Sequence, residues 1–403
     1  MKICIAGQNN IAVYFADYIL KNYPDIEILA CINKNDDGKN KFHRSFLSYC
    51  KIKNIPIKNL ADLYEEENLF FFSTEFDKII KTKFFKSKNL YNTHFSLLPK
   101  YKGMYTSALP ILHGEKYSGV TLHKIDDGID TGDIIDQIKF KIDSLNCEQL
   151  YNLYTQKGLG LLIKWLEKIL NQRIKLKKQS KKHSTYFSKA SIDYKNIIID
   201  LNKTAYQIDT QLRAFTFPFK QVPEVFGHKI IKSEILEKKT CGKSGTIVEK
   251  NDQYIIINTI DYQIKLFLYK IDELIDAAKI GDSQKIKKLI ECKYNIYEKN
   301  NKGWDALIVA TYNGHLDLVK FLVENLNWNV NTHNNNGTSF WMYAMTYSSM
   351  HNNLDLLKYV INLEDINLFH KDFMGKNVLD YAIEYNNLEV INFLQSKIKW
   401  LNS

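Results

Sequence analysis

The chain has 403 residues, of which 45% are hydrophobic and 25% charged, and its formal net charge is +10 at pH 7. This composition predicts a soluble, globular protein of two or three domains. No apolar run reaches the roughly 18 to 20 residues of a membrane-spanning helix, so a cytoplasmic protein without a membrane partner is expected.

Six cysteines are scattered without any Cys-x-x-Cys spacing. This pattern favours free thiols over disulfides and predicts no metal site. The positive charge alone does not decide between a polyanionic partner and a solvated lysine-rich surface.

Residues 1–192 alternate strand-like and helix-like stretches, which predicts an α/β domain with a Rossmann-like parallel sheet. The apolar runs are Lys2–Ala6, Ile26–Ile32, Leu69–Ser73 and Leu90–Thr93, and the main helical stretches are Ile11–Asn22, Ser45–Lys53 and Leu150–Leu170. Ligands of such sheets bind beyond the carboxyl ends of the strands, where we expect Asn92. The turn after the first strand lacks a Gly-x-Gly-x-x-Gly fingerprint, so no dinucleotide is predicted.

The segment Asn92-Thr93-His94-Phe95-Ser96-Leu97-Leu98-Pro99, with the later Asp126-Asp127-Gly128-Ile129-Asp130-Thr131-Gly132, indicates an acyl-transfer site. An amide such as that of Asn92 can donate to the oxygen of a carbonyl under attack. His94 can move a proton, and Asp130 can orient its ring. The plain alternatives, a packed histidine and a turn-forming aspartate, are disfavoured because several residue types occur together at this spacing. We treat His123, just before the Asp loop, as a satisfied strand residue.

Residues 193–270 predict a small antiparallel β module with hairpin turns. The expected strands are Gly245–Val248, Tyr254–Thr259 and Gln263–Leu268.

Residues 271–403 repeat with a period near 33 residues. Ala277, Ala310, Ala344 and Ala382 mark four units, and residues Tyr347 to Asn353 absorb a four-residue insertion in the third. A turn followed by two short helices at this period resembles ankyrin repeats, an all-α architecture.

The first 270 residues resemble the N10-formyltetrahydrofolate-dependent formyltransferases, in which an Asn-x-His segment before Ser-Leu-Leu-Pro works with an Asp about 38 residues later, as Asn92 and Asp130 do here. The resemblance implies a bacterial transferase, expected as a homodimer, with N10-formyltetrahydrofolate as formyl donor and no metal. It implies catalytic roles for Asn92, His94 and Asp130. Residues expected to contact the donor are Leu97, Leu98, Asp126, Gly128 and Ile129.

The Asn-x-His and Asp motifs do not identify the acceptor of the formyl group. Related enzymes formylate initiator methionyl-tRNA, glycinamide ribonucleotide or amino sugars on a nucleotide. The pattern is more similar to the sugar enzymes, and it favours a dTDP-linked 3-amino-3,6-dideoxyhexose destined for O-antigen synthesis, with no nucleic acid partner. Methionyl-tRNA formylation is the alternative. Expected substrate-binding residues are Lys78 and Lys100 for the pyrophosphate and Tyr105, Tyr186 or Phe187 for the base.

Two hypotheses concern the repeats. The chain can be an ankyrin interaction protein whose transferase domain is inactive, although the intact Asn92, His94 and Asp130 argue against this. Ankyrin surfaces usually bind proteins. Large aromatic residues at helix starts also suggest a second nucleotide-sugar site, formed by Trp304, Trp341 and Tyr343.

Overall fold

The computed structural model describes residues 1–292 and 294–401. Residues Met1–Lys39 and Arg44–Tyr269 form one unit, and a second unit begins at Lys270. Every strand among the described residues lies in the first unit, whereas the second is built from helices.

The first unit contains eight strands in its amino-terminal part. They are β1 (Lys2–Gly7), β2 (Glu27–Ile32), β3 (Leu69–Thr74), β4 (Asn89–His94), β5 (Lys102–Gly103), β6 (Tyr117–Lys124), β7 (Ile134–Lys141) and β8 (Tyr186–Phe187). Six of them form a sheet in the order β2-β1-β3-β4-β6-β7, and β5 pairs with β8 in a separate two-stranded ribbon. Strands β1 to β4 are parallel, as predicted, while β6 and β7 run antiparallel to their neighbours.

Strands β1, β2 and β3 are mostly apolar because both faces of the sheet are covered there. All six residues of β3 are buried, for example. The helices of this unit are α1 (Asn9–Asn22), α2 (Phe46–Ile52), α3 (Leu109–Leu112), α4 (Cys147–Leu170) and α5 (Ala205–Phe215). Helices α1, α2 and α4 contact strands of the six-stranded sheet, whereas α3 packs against α5. Helix α4 begins three residues earlier than predicted, since Asn146 and Gln149 form a capping box at its start.

A five-stranded antiparallel sheet completes the first unit. Its strands are β9 (Glu224–Val225), β10 (His228–Lys239), β11 (Ile247–Lys250), β12 (Tyr254–Asn258) and β13 (Tyr262–Leu268), in the order β11-β12-β13-β10-β9. The predicted hairpins are present. The long strand β10 was not predicted.

The second unit stacks paired helices, as expected for ankyrin repeats. They are α6 (Ile271–Ile280), α7 (Ser283–Glu291), α8 (Ala306–Tyr312), α9 (Leu316–Lys320, continued by a π-helical turn), α10 (Phe340–His351), α11 (Asp355–Val360), α12 (Val378–Tyr385) and α13 (Leu388–Leu401). The four alanines that mark the period are buried in α6, α8, α10 and α12. The insertion in the third unit lengthens α10 to 12 residues, against 7 in α8.

The described α-helices range in length from 4 residues in α3 to 24 residues in α4. None of them combines the length and apolar character needed to cross a membrane.

Candidate active site

Strand β4 presents an amide and an imidazole on one face of the sheet. Asn92 and His94 are two residues apart on this strand, so their side chains point the same way. The strand-like run was predicted to end at Thr93, and the strand continues one residue further, through His94. His123 of β6 pairs directly opposite Asn92, which brings a second imidazole to the same face.

The loop between β6 and β7 carries Asp130. The Asp126 carboxylate closes this loop from inside, because it accepts from the Gly128 N–H at 3.1 Å and from the Thr131 hydroxyl at 2.6 Å. Asp130 has a left-handed backbone with φ 53°, which Asp tolerates better than most residues. At Gly132, where the loop approaches the start of β7, an added Cβ would lie 1.9 Å from the backbone oxygen of Lys124. Only glycine therefore fits at this position.

The Asp130 carboxylate gathers four neighbours. Its Oδ2 accepts from the Gly103 N–H at 2.8 Å and lies 3.5 Å from His94 Nδ1. Its Oδ1 accepts from Asn92 Nδ2 at 3.1 Å and lies 3.7 Å from His123 Nε2. The three residues predicted as catalytic therefore meet in one place, with His123 as a fourth member.

Asp130 is a fixed negative charge in this cluster. Burial acts to raise the pKa of its carboxyl, but the positive charge of His94 and His123 in their protonated forms, together with the Gly103 N–H, outweighs burial and holds that pKa well below its usual range. The side chain is only 12% exposed, so the charge is poorly screened by water. The carboxylate is thus ionised throughout the neutral pH range.

The hydrogen bonds of His94 assign different roles to its two nitrogens. Nε2 lies 2.8 Å from the Tyr101 carbonyl oxygen, which can only accept, so Nε2 carries the proton of the neutral ring. Nδ1 is left with the lone pair and faces Asp130. The Nδ1 lone pair is the one that can accept a proton, as a general base requires.

Asn92 uses both hydrogens of its amide inside the cluster. One goes to Asp130, and the other goes to His123 Nε2 at 3.1 Å. His123 Nδ1 lies 2.6 Å from the Lys124 carbonyl and must donate to it, so Nε2 is the acceptor. The predicted donation from Asn92 to a formyl oxygen therefore requires one of these two bonds to open when substrate binds.

His123 is the member that our sequence analysis set aside. It is a strand residue with satisfied hydrogen bonds, as expected, but it also belongs to the cluster. Only the antiparallel pairing of β4 with β6 reveals this, because the two residues are 31 positions apart.

The residues predicted to contact the formyl donor lie on two segments beside this cluster. Leu98 is buried, and Ile129 is 37% exposed at the tip of the Asp loop. Asp126 and Gly128 are bonded to each other within the loop. Leu97 is half-buried at the end of β4. Their contacts with a donor stay a prediction.

The residues predicted to bind the acceptor differ in whether their side chains already have partners within the protein. Lys78 is exposed, but Lys100 forms an ion pair with Glu115 at 3.0 Å. The Tyr105 hydroxyl donates to the Lys189 carbonyl at 2.9 Å.

The β5–β8 ribbon places two further predicted residues next to the cluster. Tyr186 pairs with Lys102, and Phe187 pairs with Gly103, whose N–H contacts Asp130. Tyr186 is 55% exposed, whereas Phe187 stacks on Tyr101 with ring centroids 5.5 Å apart. Tyr186 is thus the exposed aromatic surface of this pair.

Comparison with known proteins agrees with this arrangement. Residues 53–165 match the Formyl transferase family, and residues 191–278 match the family described as Formyl transferase, C-terminal domain. An N-formyltransferase from Helicobacter canadensis, solved with folinic acid and dTDP-3-aminofucose, is 42% identical. The match covers 67% of this chain and 100% of that one, with a TM-score of 0.63. The chain belongs to the formyltransferase family. It is a formyl-transferring enzyme, as predicted.

Two further similarities bear on this formyltransferase. WlaRD, a sugar 3N-formyl transferase solved with dTDP and 5-N-formyl-THF, is 43% identical, with coverage of 66% of this chain and 97% of that one and a TM-score of 0.62. Methionyl-tRNA formyltransferase of Fervidobacterium nodosum is 27% identical over 65% of this chain and 88% of its own length. In the second unit, residues 274–349 match the family described as Ankyrin repeats (3 copies), which confirms that the chain carries ankyrin repeats.

Within residues 1–292 and 294–401, no group of three or more His, Cys, Asp or Glu is arranged to hold a metal ion.

The aromatic residues of the proposed second site do not share one surface. Trp341 has no exposed area and lies in the core of the second unit, so the prediction that it lines a ligand surface is wrong. Trp304 and Tyr343 do meet, with ring centroids 5.1 Å apart, and Tyr312 lies 5.3 Å from Trp304. Tyr343 is itself only 8% exposed and Trp304 is half-buried, so a site formed by these two residues stays a prediction that depends mainly on Trp304.

Proposed function

We propose that this formyltransferase moves the formyl group of N10-formyltetrahydrofolate to the amine of a dTDP-linked amino-dideoxy sugar. A 3-amino-3,6-dideoxyhexose is the favoured acceptor. The product would serve O-antigen synthesis in lipopolysaccharide.

The residues around Asp130 suit this chemistry. The sugar amine attacks the formyl carbon, the bond from that carbon to N10 breaks, and a proton moves from the amine to N10. His94 Nδ1 accepts the proton beside the Asp130 carboxylate, 3.5 Å away, and then returns it to N10. Negative charge on the formyl oxygen is stabilised by an N–H of Asn92, a contact worth about 3 kcal/mol in comparable sites.

The choice of a sugar acceptor is supported chiefly by the two structures that share 42% and 43% of their residues with this chain. The first holds dTDP-3-aminofucose, and the second holds dTDP. The exposed Tyr186 ring next to the cluster offers a flat face for a base.

Methionyl-tRNA is the second candidate acceptor. It is favoured by the curated relatives, such as the enzyme of Buchnera aphidicola from Schizaphis graminum, 28% identical over 71% of this chain. The lower identity than that of the sugar enzymes makes it the weaker candidate.

An acceptor panel tests the proposal. Purified protein with N10-formyltetrahydrofolate receives a dTDP-3-amino sugar, a dTDP-4-amino sugar or methionyl-tRNA, and tetrahydrofolate release is followed. We expect turnover with the 3-amino sugar at least about 10-fold faster than with the other two. Faster formylation of tRNA would overturn the sugar assignment, and no turnover with any acceptor would favour the inactive interaction protein.

A further inference from the structure

Gln179 contacts the Asp130 loop from outside the two catalytic segments. The stretch that carries it is fixed to the start of β7, since Lys177 and Ile134 exchange two backbone hydrogen bonds of 2.8 Å each. This anchoring lets the side chain of Gln179 reach the loop that precedes β7.

The Gln179 amide donates two hydrogen bonds to the loop backbone. Nε2 lies 2.8 Å from the Asp130 carbonyl oxygen and 2.8 Å from the Gly132 carbonyl oxygen. Because carbonyl oxygens only accept, both Nε2 hydrogens are committed and the orientation of the amide is settled. The side chain therefore bridges the main chain on either side of Thr131.

The bridged residue needs such support. Asp130 has φ 53°, a conformation that is sparsely populated for residues with a side chain and persists where its surroundings fix it. Its carboxylate is fixed at the other end by the Gly103 N–H and by Asn92. Gln179 is the contact that fixes the backbone end.

We propose that Gln179 is a positioning residue for formyl transfer, holding the Asp130 backbone so that the carboxylate faces His94 Nδ1. It acts through Asp130 and does not touch the reacting atoms. The inference rests on the proposed roles of Asp130 and His94, and it is independent of which acceptor is formylated. Mutation of a hydrogen-bond partner that orients a functional group typically lowers activity by about 10- to 100-fold.

Gln179→Ala is the direct test, and Gln211→Ala is its matched control. Gln211 is a glutamine of the same unit whose Nε2 also donates to two carbonyl oxygens, those of Asp200 and Gln207, at 3.2 Å each. We expect Gln179→Ala to lower kcat at least about 10-fold with KM for the acceptor changed less than about 2-fold, and Gln211→Ala to leave both unchanged. A kcat within about 2-fold of wild type, or an equal loss in the control, would overturn the proposal.

Gln179→Glu supplies a second, pH-dependent test. An ionised carboxylate cannot donate to the two carbonyls, whereas a protonated carboxyl donates one hydrogen bond. The ratio of variant to wild-type kcat should therefore rise as the pH is lowered from 8 to 5.5, and a ratio that stays constant contradicts the proposal.

Hydrogen exchange gives a readout that needs no acceptor. Peptides covering residues 126–133 should exchange faster in Gln179→Ala than in wild type or Gln211→Ala. Unchanged exchange there would overturn the positioning role even in an active enzyme. Faster exchange with no turnover by wild type on any acceptor would support it and reject only the proposed function.

Discussion

At the scale of single residues, the Asp130 carboxylate determines what its neighbours do. It is ionised, it lies beside the nitrogen of His94 that has the lone pair, and it takes one hydrogen of the Asn92 amide. An imidazolium at His94 is therefore paired with an existing charge, while the neutral ring is held in place by the Tyr101 carbonyl. The arrangement leaves one defined nitrogen, Nδ1, with the lone pair that can accept a proton.

Substitution of either His94 or Asp130 should remove most of the catalytic activity. We expect His94→Asn and Asp130→Asn each to reduce kcat at least about 100-fold, because a general base contributes about 10²- to 10⁴-fold. His183→Asn, which changes an exposed histidine, is the control and should retain wild-type turnover. Steady-state kinetics with melting temperatures checks this, and near-normal turnover in a folded His94→Asn variant would refute the assignment.

Glu75 is a second acid whose ionisation depends on its surroundings. It directly follows β3 with a left-handed φ of 62°, and its Oε2 accepts from the Tyr151 hydroxyl at 2.6 Å and from Asn9 at 3.4 Å. Burial raises the pKa of Glu75 to about 7, although these hydrogen bonds and the charge of Lys220 act to lower it. The folded protein therefore binds a proton at Glu75 more tightly than the unfolded chain does.

This shift predicts how the stability depends on pH. In the folded protein the pKa of Glu75 is raised from 4.5 to about 7. The stabilisation that protonated Glu75 contributes is therefore complete below pH 4.5 and is lost as the pH rises through about 7. Relative to Glu75→Gln, wild type should lose up to about 3 kcal/mol of unfolding free energy between pH 4.5 and 8. Urea unfolding of both proteins across this range measures the difference, and parallel pH curves would show that Glu75 is not perturbed.

At the scale of helices and strands, the predictions held where an element has its own apolar pattern. Strands β1 to β3 are mostly buried apolar runs, and their positions follow from the apolar pattern of the sequence. Strand β10 is rich in charged residues, and Ile230 is its one fully buried residue. The strand is held in the sheet by its pairing with β13. A strand stabilised by its partner carries little local signal.

The repeats provide the prediction at this scale. Trp341 has no exposed area, whereas Trp304 is half-buried at the edge of an aromatic cluster. Trp341→Ala should destabilise the second unit by about 3–5 kcal/mol, the usual cost of truncating a large core side chain. Trp304→Ala, the matched change, should cost clearly less. Hydrogen exchange of peptides from α8 and α10 in the two variants checks this, and equal effects would contradict the burial of Trp341.

At the scale of the whole molecule, the sequence defined the families but not the complete site. The motif around Asn92 and the repeat period were sufficient to predict a formyltransferase with ankyrin repeats. His123 joins the site through its strand pairing with Asn92, 31 residues away, and Gln179 contacts Asp130 from 49 residues away, so no local pattern identifies them. The net charge of +10 was equally uninformative, because it attracts any anionic ligand.

A ligand specific for the formyltransferase unit should therefore be distinguished from one attracted by charge alone. At about 100 times its Kd, dTDP should slow exchange in the peptides that form its site by up to about 100-fold, while ATP at the same concentration should not. We expect this protection in peptides containing Tyr105 and Tyr186. Protection by dTDP of peptides containing Trp304 and Tyr343 would support the second site, and unchanged exchange there at millimolar dTDP would reject it. Equal protection by ATP and dTDP would instead show that the chain binds nucleotides through its charge, and would count against a dTDP-sugar as the acceptor.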